Sequence, residues 1–251
     1  MKGTPWWQAY FDDLYLELGQ RLAAPDWKDS QQQAQAVVRM MQLVPPAQIL
    51  DLCCGFGRHA IPLAKMGFTV TGLDYSGDVL AQAREDAARF EIDVAFCRGD
   101  MRDLPWVEVF DGCVMLGGSF GVLEEEMENE RVFHAISAAL RPGGRFFLDA
   151  ANRDRIVCEY VPQRRQEADG VVRCVESRFD PVAGVNYACE RWLRDGEWTE
   201  RTHHRRLYTA TELDRMLRRA DLTPVAYYGG CDQSEFTTKS HRILVVAEKG
   251  E

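Results

Sequence analysis

The sequence predicts an α/β fold built on a doubly wound, mostly parallel sheet, and three observations carry that expectation. Between residues 46 and 150, short apolar runs alternate with helix-like segments, the pattern of buried parallel strands joined by crossover helices. A glycine turn, Gly55-Phe56-Gly57, follows the first apolar run and opens a helix. Acidic residues stand at or just beyond the ends of the first three runs: Asp51, Asp74 and Asp100.

Each element has its own signal. An amphipathic helix is expected from about Pro5 to Arg21, with Trp7, Tyr10, Phe11, Leu14 and Leu18 on one face. A second runs from about Asp29 to Leu43 and is ended by Pro45-Pro46. "AQILDLC" is strand one, followed by a helix from His59 to Met66; "FTVTGLD" is strand two, with a helix from Gly77 to Phe90. "VAFCRGD" and "FDGCVML" are strands three and four, and a helix from Glu125 to Leu140 leads through "RPGG" to strand five, "RFFLDA". The rhythm then changes. From Val171 to Tyr208 come three polar-aromatic runs, "VVRCVESRF", "VNYACERWLR" and "EWTERTHHRRLY", separated by the hairpin signals "DPVAG" and "RDGE". They predict an antiparallel meander inserted after strand five. Alternation puts Trp198, His204 and Tyr208 on one face of the third run and His203, Arg205 and Leu207 on the other. Thr209 and Glu212 are spaced as a capping box for the next helix. Two last strands, "TPVAYY" and "RILVVAE", flank a polar loop from Gly229 to His241.

Composition narrows the class. The 251 residues are 46% apolar with no low-complexity tract, so a globular fold is expected. A formal charge of −9 repels phosphate backbones, and a nucleic-acid partner would need a local basic patch. The densest, "RTHHRR" from Arg201 to Arg206, reads instead as a solvated or pocket-lining strand face. Eight cysteines without any CxxC spacing fit a reducing compartment and offer no metal-ligand rhythm. The first residues carry Asp12, Asp13 and Glu17 and no long apolar core, unlike a signal peptide, and no run approaches a membrane span. A cytoplasmic protein is expected, with neither membrane nor nucleic acid as partner.

The glycine turn identifies a cofactor only with its neighbours. Gly55-x-Gly57-x-x-Ala60 satisfies a relaxed dinucleotide fingerprint, so NAD competes. Asp51, however, would repel a pyrophosphate and could accept hydrogen bonds from an ammonium group. Asp74, closing strand two, is placed for both ribose hydroxyls, and Asp100 in "GDMRDLP" for an adenine amino group. Adenine, ribose and a cationic amino-acid tail together describe S-adenosylmethionine. Other roles remain open for each acid: Asp51 as a helix cap, Asp74 as a helix N-terminal acid, and Asp103 in place of Asp100. Arg58-His59 opens a helix, where positive charge is mildly unfavourable; a nearby carboxylate, the ligand's own or Asp51, would explain the pair.

On these residues, the segment from about Ile49 to Ala150 resembles the core of the class I S-adenosylmethionine-dependent methyltransferases. Asp51-Leu52-Cys53-Cys54-Gly55-Phe56-Gly57 is similar to the family's D-x-G-x-G-x-G turn, Asp74 to its ribose-binding acid, Asp100-Met101 to its adenine-contacting pair, and "LRPGG" to the turn before strand five. The resemblance implies a Rossmann-like seven-stranded sheet whose antiparallel last strand is "RILVVAEK". It also implies a cofactor set of Asp51, Cys53, Gly55, Gly57, Arg58, Asp74, Tyr75, Asp100, Met101 and Gly117. Cys53 departs from the pattern, since glycine is usual there, and implies a backbone angle that a side chain tolerates. An inserted β lid resembles small-molecule members of the family. The expected division is a helical cap at 1–45, an α/β core at 46–154 and 209–251, and a lid at 155–208.

An activated sulfonium needs little beyond an aligned nucleophile and exclusion of water; a base is required only if the acceptor arrives protonated. Candidates lie above the carboxyl ends of the strands: Tyr10 and Tyr15, the Gly117-Gly118-Ser119-Phe120 loop, His203 and His204, and Tyr227, Tyr228 and His241. Tyr15 and His204 are the catalytic candidates, because related enzymes place an N-terminal tyrosine over the cofactor and His204 shares a strand face with aromatics. Tyr15, Ser119, His203, His204 and Tyr228 are the expected acceptor pocket. The loop after strand four reads "LGGSF" rather than Pro-Pro-aromatic, and no Pro-Cys pair is present, unlike nucleic-acid methylating members. The resemblance therefore implies a small-molecule acceptor, with N, O, S and C nucleophiles all open, on a monomer or homodimer. A protein or RNA methyltransferase and a non-catalytic cofactor-binding regulator are the alternatives.

Overall fold

The computed structural model describes residues 5–12, 15–17, 27–168 and 170–251. Its core is a seven-stranded sheet. The strands in chain order are β1 (Gln48–Leu52), β2 (Thr69–Asp74), β3 (Ala95–Arg98), β4 (Phe110–Met115), β5 (Leu140–Ala151), β10 (Leu222–Tyr228) and β11 (Arg242–Lys249). They lie in the spatial order β10-β11-β5-β4-β1-β2-β3. β1 to β5 pair in parallel, and β11 runs antiparallel to both β5 and β10. The "RPGG" turn is absorbed into β5 as a bulge: the register slips between Phe110↔Leu140 and Gly112↔Arg145.

The central strands are apolar on both faces because helices cover both. Leu50, Met115, Phe146, Leu148 and Val245 point to one side, against Phe133 and Ile136 of α5 (Glu126–Ala139) and Leu213 and Leu217 of α7 (Ala210–Arg219). Their sequence neighbours Ile49, Val114, Phe147 and Val246 point to the other, against Val37 of α2 (Trp27–Met40) and Leu63 of α3 (Ala60–Lys65). This period-2 division is what a buried parallel strand requires. Helix α4 (Gly77–Arg89) starts where the Ser76 hydroxyl accepts from the Val79 amide, and α7 starts with the expected capping box, Thr209 and Glu212 bonding reciprocally. Among the described residues no helix is long and apolar enough to cross a membrane.

Between β5 and α7 the chain forms α6 (Arg153–Cys158) and a second, four-stranded antiparallel sheet. Its strands are β6 (Gln163–Ala168), β7 (Val171–Asp180), β8 (Val185–Arg194) and β9 (Glu197–Arg206), paired in chain order. The last three match the expected meander, and both residues of the Asp195-Gly196 turn have positive φ, as a tight two-residue hairpin demands. β6 is an addition to the expectation. It is an edge strand with almost every residue exposed, so it carries no apolar alternation to read.

The N-terminal helix is shorter than expected. α1 spans only Trp6–Tyr10 and ends at Phe11 (φ −92°, ψ 64°). The Asp12 carboxylate accepts from the Tyr15 amide at 3.0 Å, a helix-starting bond that interrupts the preceding helix rather than extending it. Arg201 of β9 fixes the break from outside, donating to the Tyr10 carbonyl at 2.8 Å and to both Asp12 oxygens at 2.9 and 2.8 Å. Leu14 and Leu18 lie outside the described residues.

The resulting segment is held on two sides. Toward the core, the Ser76 hydroxyl donates to the Phe11 carbonyl, and the Trp7 ring meets Tyr75 edge-on at 4.8 Å. Toward the second sheet, the Tyr10 hydroxyl donates to Glu190 at 2.8 Å; that carboxylate is only 1% exposed and also pairs with Arg173.

Candidate functional site

A cavity of about 390 Å³ opens at the carboxyl ends of β1, β2 and β4. This is where strand order reverses, the position at which open α/β sheets bind ligands. Its floor is the β1–α3 turn, with Asp51, Cys53, Gly55, Phe56 and Arg58. Asp74 and Tyr75 enter from the end of β2, Asp100 and Met101 from beyond β3, and Gly117 and Ser119 from the loop after β4. The N-terminal segment contributes Trp7, Phe11 and Tyr15, and β9 contributes Arg205.

Two glycines open onto free space. A Cβ built on Gly55 or Gly117 meets nothing within 4 Å, and both have positive φ. A ligand can therefore approach the backbone closely there. Gly57, expected among the cofactor contacts, behaves differently from Gly55. It is absent from the cavity wall, and a Cβ on it would sit 3.1 Å from the Phe96 ring and 3.4 Å from Ile61. With φ +78° as well, Gly57→Val is expected to destabilise the fold by at least about 2 kcal/mol through strain and overpacking. Denaturant unfolding checks this. Wild-type stability with lost ligand binding would restore a ligand-facing role.

Cys53 also corrects an expectation. Its φ is +60°, in the left-handed region, so the side chain is held in a strained conformation rather than a comfortable one. Its half-buried thiol contacts the Met101 sulfur at 3.5 Å, which packs the turn against the loop after β3.

The three carboxylates differ sharply. Asp51 is 2% exposed, and its Oδ2 has no hydrogen-bond partner. Burial and the neighbouring Asp74 push its pKa up to about 7. An orphaned buried acceptor in a cavity wall is what a ligand ammonium would satisfy. Asp74 accepts from the Gly55 amide at 2.9 Å and the Ser76 amide at 3.0 Å, one bond to each oxygen. Those two bonds lock its orientation and leave further acceptor capacity on both oxygens. Asp100 is gripped by Arg102 through both oxygens, which holds its pKa below the usual carboxylate range against the effect of burial. It stays ionised at the cavity edge.

The Arg58-His59 pair has a plainer explanation than a carboxylate. Arg58 donates to the Gln33 side-chain oxygen at 2.7 Å, and His59 Nε2 lies 2.9 Å from the same oxygen. His59 is buried, and burial together with Arg58 pulls its pKa down to about 3, so only Arg58 carries charge. Arg58 lines the cavity with its buried Nε unpaired.

The candidate acceptor residues separate. Tyr15 and Ser119 line the cavity; His203, His204 and Tyr228 do not. The two histidines border a different, open cleft with Trp6, Glu124 and Tyr187, where the Trp6 ring lies 5.6 and 5.8 Å from them. Tyr228 pairs with Leu244 and packs on the core beneath α2 and α3. Tyr10 serves the Glu190 cluster, and the Tyr227 hydroxyl donates to Asp214 at 3.1 Å. Arg205 lines the cavity as well, although strand alternation, which places it opposite His204, does not by itself mark it as a site residue.

A doubly wound sheet with carboxylates at three successive strand ends defines a binder of an adenosine-type cofactor with a cationic tail. Known proteins agree. A family model described as a methyltransferase domain matches residues 49–144. The dTDP-3-amino-3,6-dideoxy-α-D-glucopyranose N,N-dimethyltransferase of Streptomyces fradiae is 32% identical over 231 residues, covering 89% of each chain. The cypemycin N-terminal methyltransferase of a Streptomyces species is 29% identical over 213 residues, covering 80% of this chain and 82% of that one. The crystal structure of an S-adenosylmethionine-dependent methyltransferase from Clostridium acetobutylicum superposes with a TM-score of 0.81 at 18% identity, over 95% of this chain and 99% of that one. The chain belongs to the class I S-adenosylmethionine-dependent methyltransferases, and S-adenosylmethionine is its cofactor.

Proposed function

We propose that the enzyme methylates an amine on a small molecule or at the end of a peptide, inside the cavity between the β1–α3 turn and Arg205. The observation that carries this reading is the composition of the cavity's wall beyond the β1–α3 turn. Trp7, Phe11 and Tyr15 of the N-terminal segment and Arg205 of β9 line it there, which supports an acceptor group compact enough to enter beside the cofactor. Two relatives whose names specify amine methylation, of an amino sugar and of a peptide N-terminus, point the same way.

In this reading Asp51 Oδ2 accepts from the cofactor's ammonium, Asp74 from the ribose hydroxyls, and Asp100 from the adenine amino group. Met101, Tyr75 and Cys53 pack beside them, and Gly55 and Gly117 allow close backbone approach. The second sheet, with α6, forms the lid; residues 1–45, 46–154 with 209–251, and 155–208 are the cap, core and lid.

The cofactor supplies a methyl group already activated on a sulfonium. The protein must then present a neutral amine in line with it. Burial beside the cationic Arg205 disfavours an ammonium, so the acceptor gives its proton to solvent before it enters as the free amine, and no dedicated base is needed. The Tyr15 phenol, its pKa raised by burial, stays protonated and serves as a hydrogen-bonding guide, with the Ser119 hydroxyl nearby.

The test is methyl transfer from labelled cofactor to a panel of amino sugars, amino acids and short peptides. Turnover of at least one amine is expected, and transfer confined to hydroxyl or thiol acceptors would contradict the reading. Tyr15→Phe should lower kcat about tenfold, about 1.4 kcal/mol in the barrier, while leaving S-adenosylhomocysteine affinity unchanged. An unchanged kcat would remove Tyr15 from the reaction.

A further inference from the structure

Three arginines of β9, Arg201, Arg205 and Arg206, are half-buried, and they are not equivalent. Arg201 is neutralised by Asp12 at 2.8 Å, and Arg206 by Glu212 at 2.7 Å. Arg205 lines the cavity, and among the described residues no carboxylate lies within ion-pair distance of it and no hydrogen bond engages it. Its guanidinium reaches the loop after β4, where a Cβ on Gly118 would lie 3.3 Å from Arg205 Nη1. The adjacent Arg242 is paired with Asp149 at 2.5 Å, and Asp149 acts on Arg205 only from beyond ion-pair distance.

The position is built. The Arg206 amide donates to the Gly121 carbonyl at 2.8 Å and the Leu207 amide to the Gly184 carbonyl at 2.9 Å, so the end of β9 that carries Arg205 is tied both to the loop after β4 and to the β7–β8 turn. A fixed, enclosed and unpaired guanidinium is costly unless a ligand completes it, and its planar fork matches a carboxylate or a phosphate.

The cofactor brings one carboxylate of its own, one carbon away from its ammonium. Asp51 is the acceptor for that ammonium, and Arg58 is the cation close enough to act on Asp51. The cofactor's carboxylate thus falls to Arg58, and Arg205 remains for the second substrate.

We propose that the acceptor amine also carries an anionic oxygen group, a carboxylate or a phosphate, and that Arg205 grips it. This rests on the methyl-transfer reading above and adds the substrate's charge to it. Arg205 then acts twice: it selects an anion and disfavours the protonated amine in the same pocket.

The experiment is a calorimetric titration of the S-adenosylhomocysteine-loaded enzyme with acetate and, separately, with inorganic pyrophosphate. At least one is expected to bind saturably at millimolar concentration. Arg205→Met should weaken that binding by about tenfold or more, the scale of a hydrogen bond to a charged group, with S-adenosylhomocysteine affinity unchanged. Arg205→Lys, which keeps the charge and loses the fork, should fall between, and it serves should the methionine variant fail to fold. Tighter binding of pyrophosphate assigns a phosphate, and tighter binding of acetate a carboxylate. The proposal is overturned if neither anion binds, if Arg205→Met binds them as wild type does, or if S-adenosylhomocysteine affinity falls in parallel, which would give Arg205 to the cofactor. Turnover of a carboxylate- or phosphate-bearing amine at wild-type KM by Arg205→Met would sink this proposal and leave the methyl-transfer reading standing. No turnover of any amine would sink the latter.

Discussion

Asp74→Ala is expected to weaken S-adenosylhomocysteine binding by about 1.5–3 kcal/mol, roughly ten- to a hundredfold. The carboxylate sits at the end of β2 with one backbone amide on each oxygen, Gly55 at 2.9 Å and Ser76 at 3.0 Å. Its removal takes away the proposed acceptor of both ribose hydroxyls. It also leaves the Gly55 amide without a partner, and Gly55 stands where the backbone is open to the cavity. Calorimetric titration checks the effect. Affinity within twofold of wild type would mean that the ribose lies elsewhere.

The second large effect is a pH dependence that Asp51 introduces. With its pKa near 7, set first by burial and then by Asp74, Asp51 is substantially protonated in the ligand-free enzyme at pH 6. A ligand ammonium favours the carboxylate, so binding should expel the proton. Affinity should fall as pH drops below about 7, approaching tenfold per pH unit for a single group. Calorimetry at pH 6 in two buffers of different ionisation heat should show release of up to about one proton. Asp51→Asn should abolish that release; any remainder measures Asp74, whose pKa burial also raises. Heats independent of buffer would contradict the assignment. The ligand-free stability follows with a definite sign. The folded pKa lies above the unfolded value near 3.8, so between about pH 4 and 7 the folded state holds a proton that the unfolded state lacks. The contribution from Asp51 is therefore full below pH 4 and is lost as pH rises toward 7.

The parts of this enzyme that are legible in its sequence are those whose signal is local. Strands such as "ILDL" and "LVVA" announce burial by composition, the capping box at Thr209 is written in two residues, and Asp51, Asp74 and Asp100 stand at or just beyond the ends of their strands. What is set at long range is not legible. The N-terminal helix stops at Tyr10 because Asp12 starts a new turn and because Arg201, 189 residues away, clamps both. β6 has no apolar face, so nothing in its residues marks it as a strand. Gly57 sits in the same motif as Gly55, and only the position of Phe96 shows that one packs against the core while the other opens onto the cavity. His203 and Arg205 share a strand face, yet only the second reaches the cavity. Alternation sorts residues between faces and says nothing of position along them. The solitude of Arg205 is visible only once Asp12, Glu212 and Asp149 have each found other arginines.

The central claim is that this cavity holds the cofactor with its tail on Asp51, its ribose on Asp74 and its sulfur turned toward Tyr15 and Arg205. A crystal structure of the enzyme with S-adenosylhomocysteine tests it most directly. The account predicts the ligand ammonium within hydrogen-bonding distance of Asp51 Oδ2, both ribose hydroxyls on Asp74, and the sulfur facing the space between Tyr15, Ser119 and Arg205. A ligand bound outside the cavity, or one whose sulfur points toward Asp100 and away from Arg205, would contradict it.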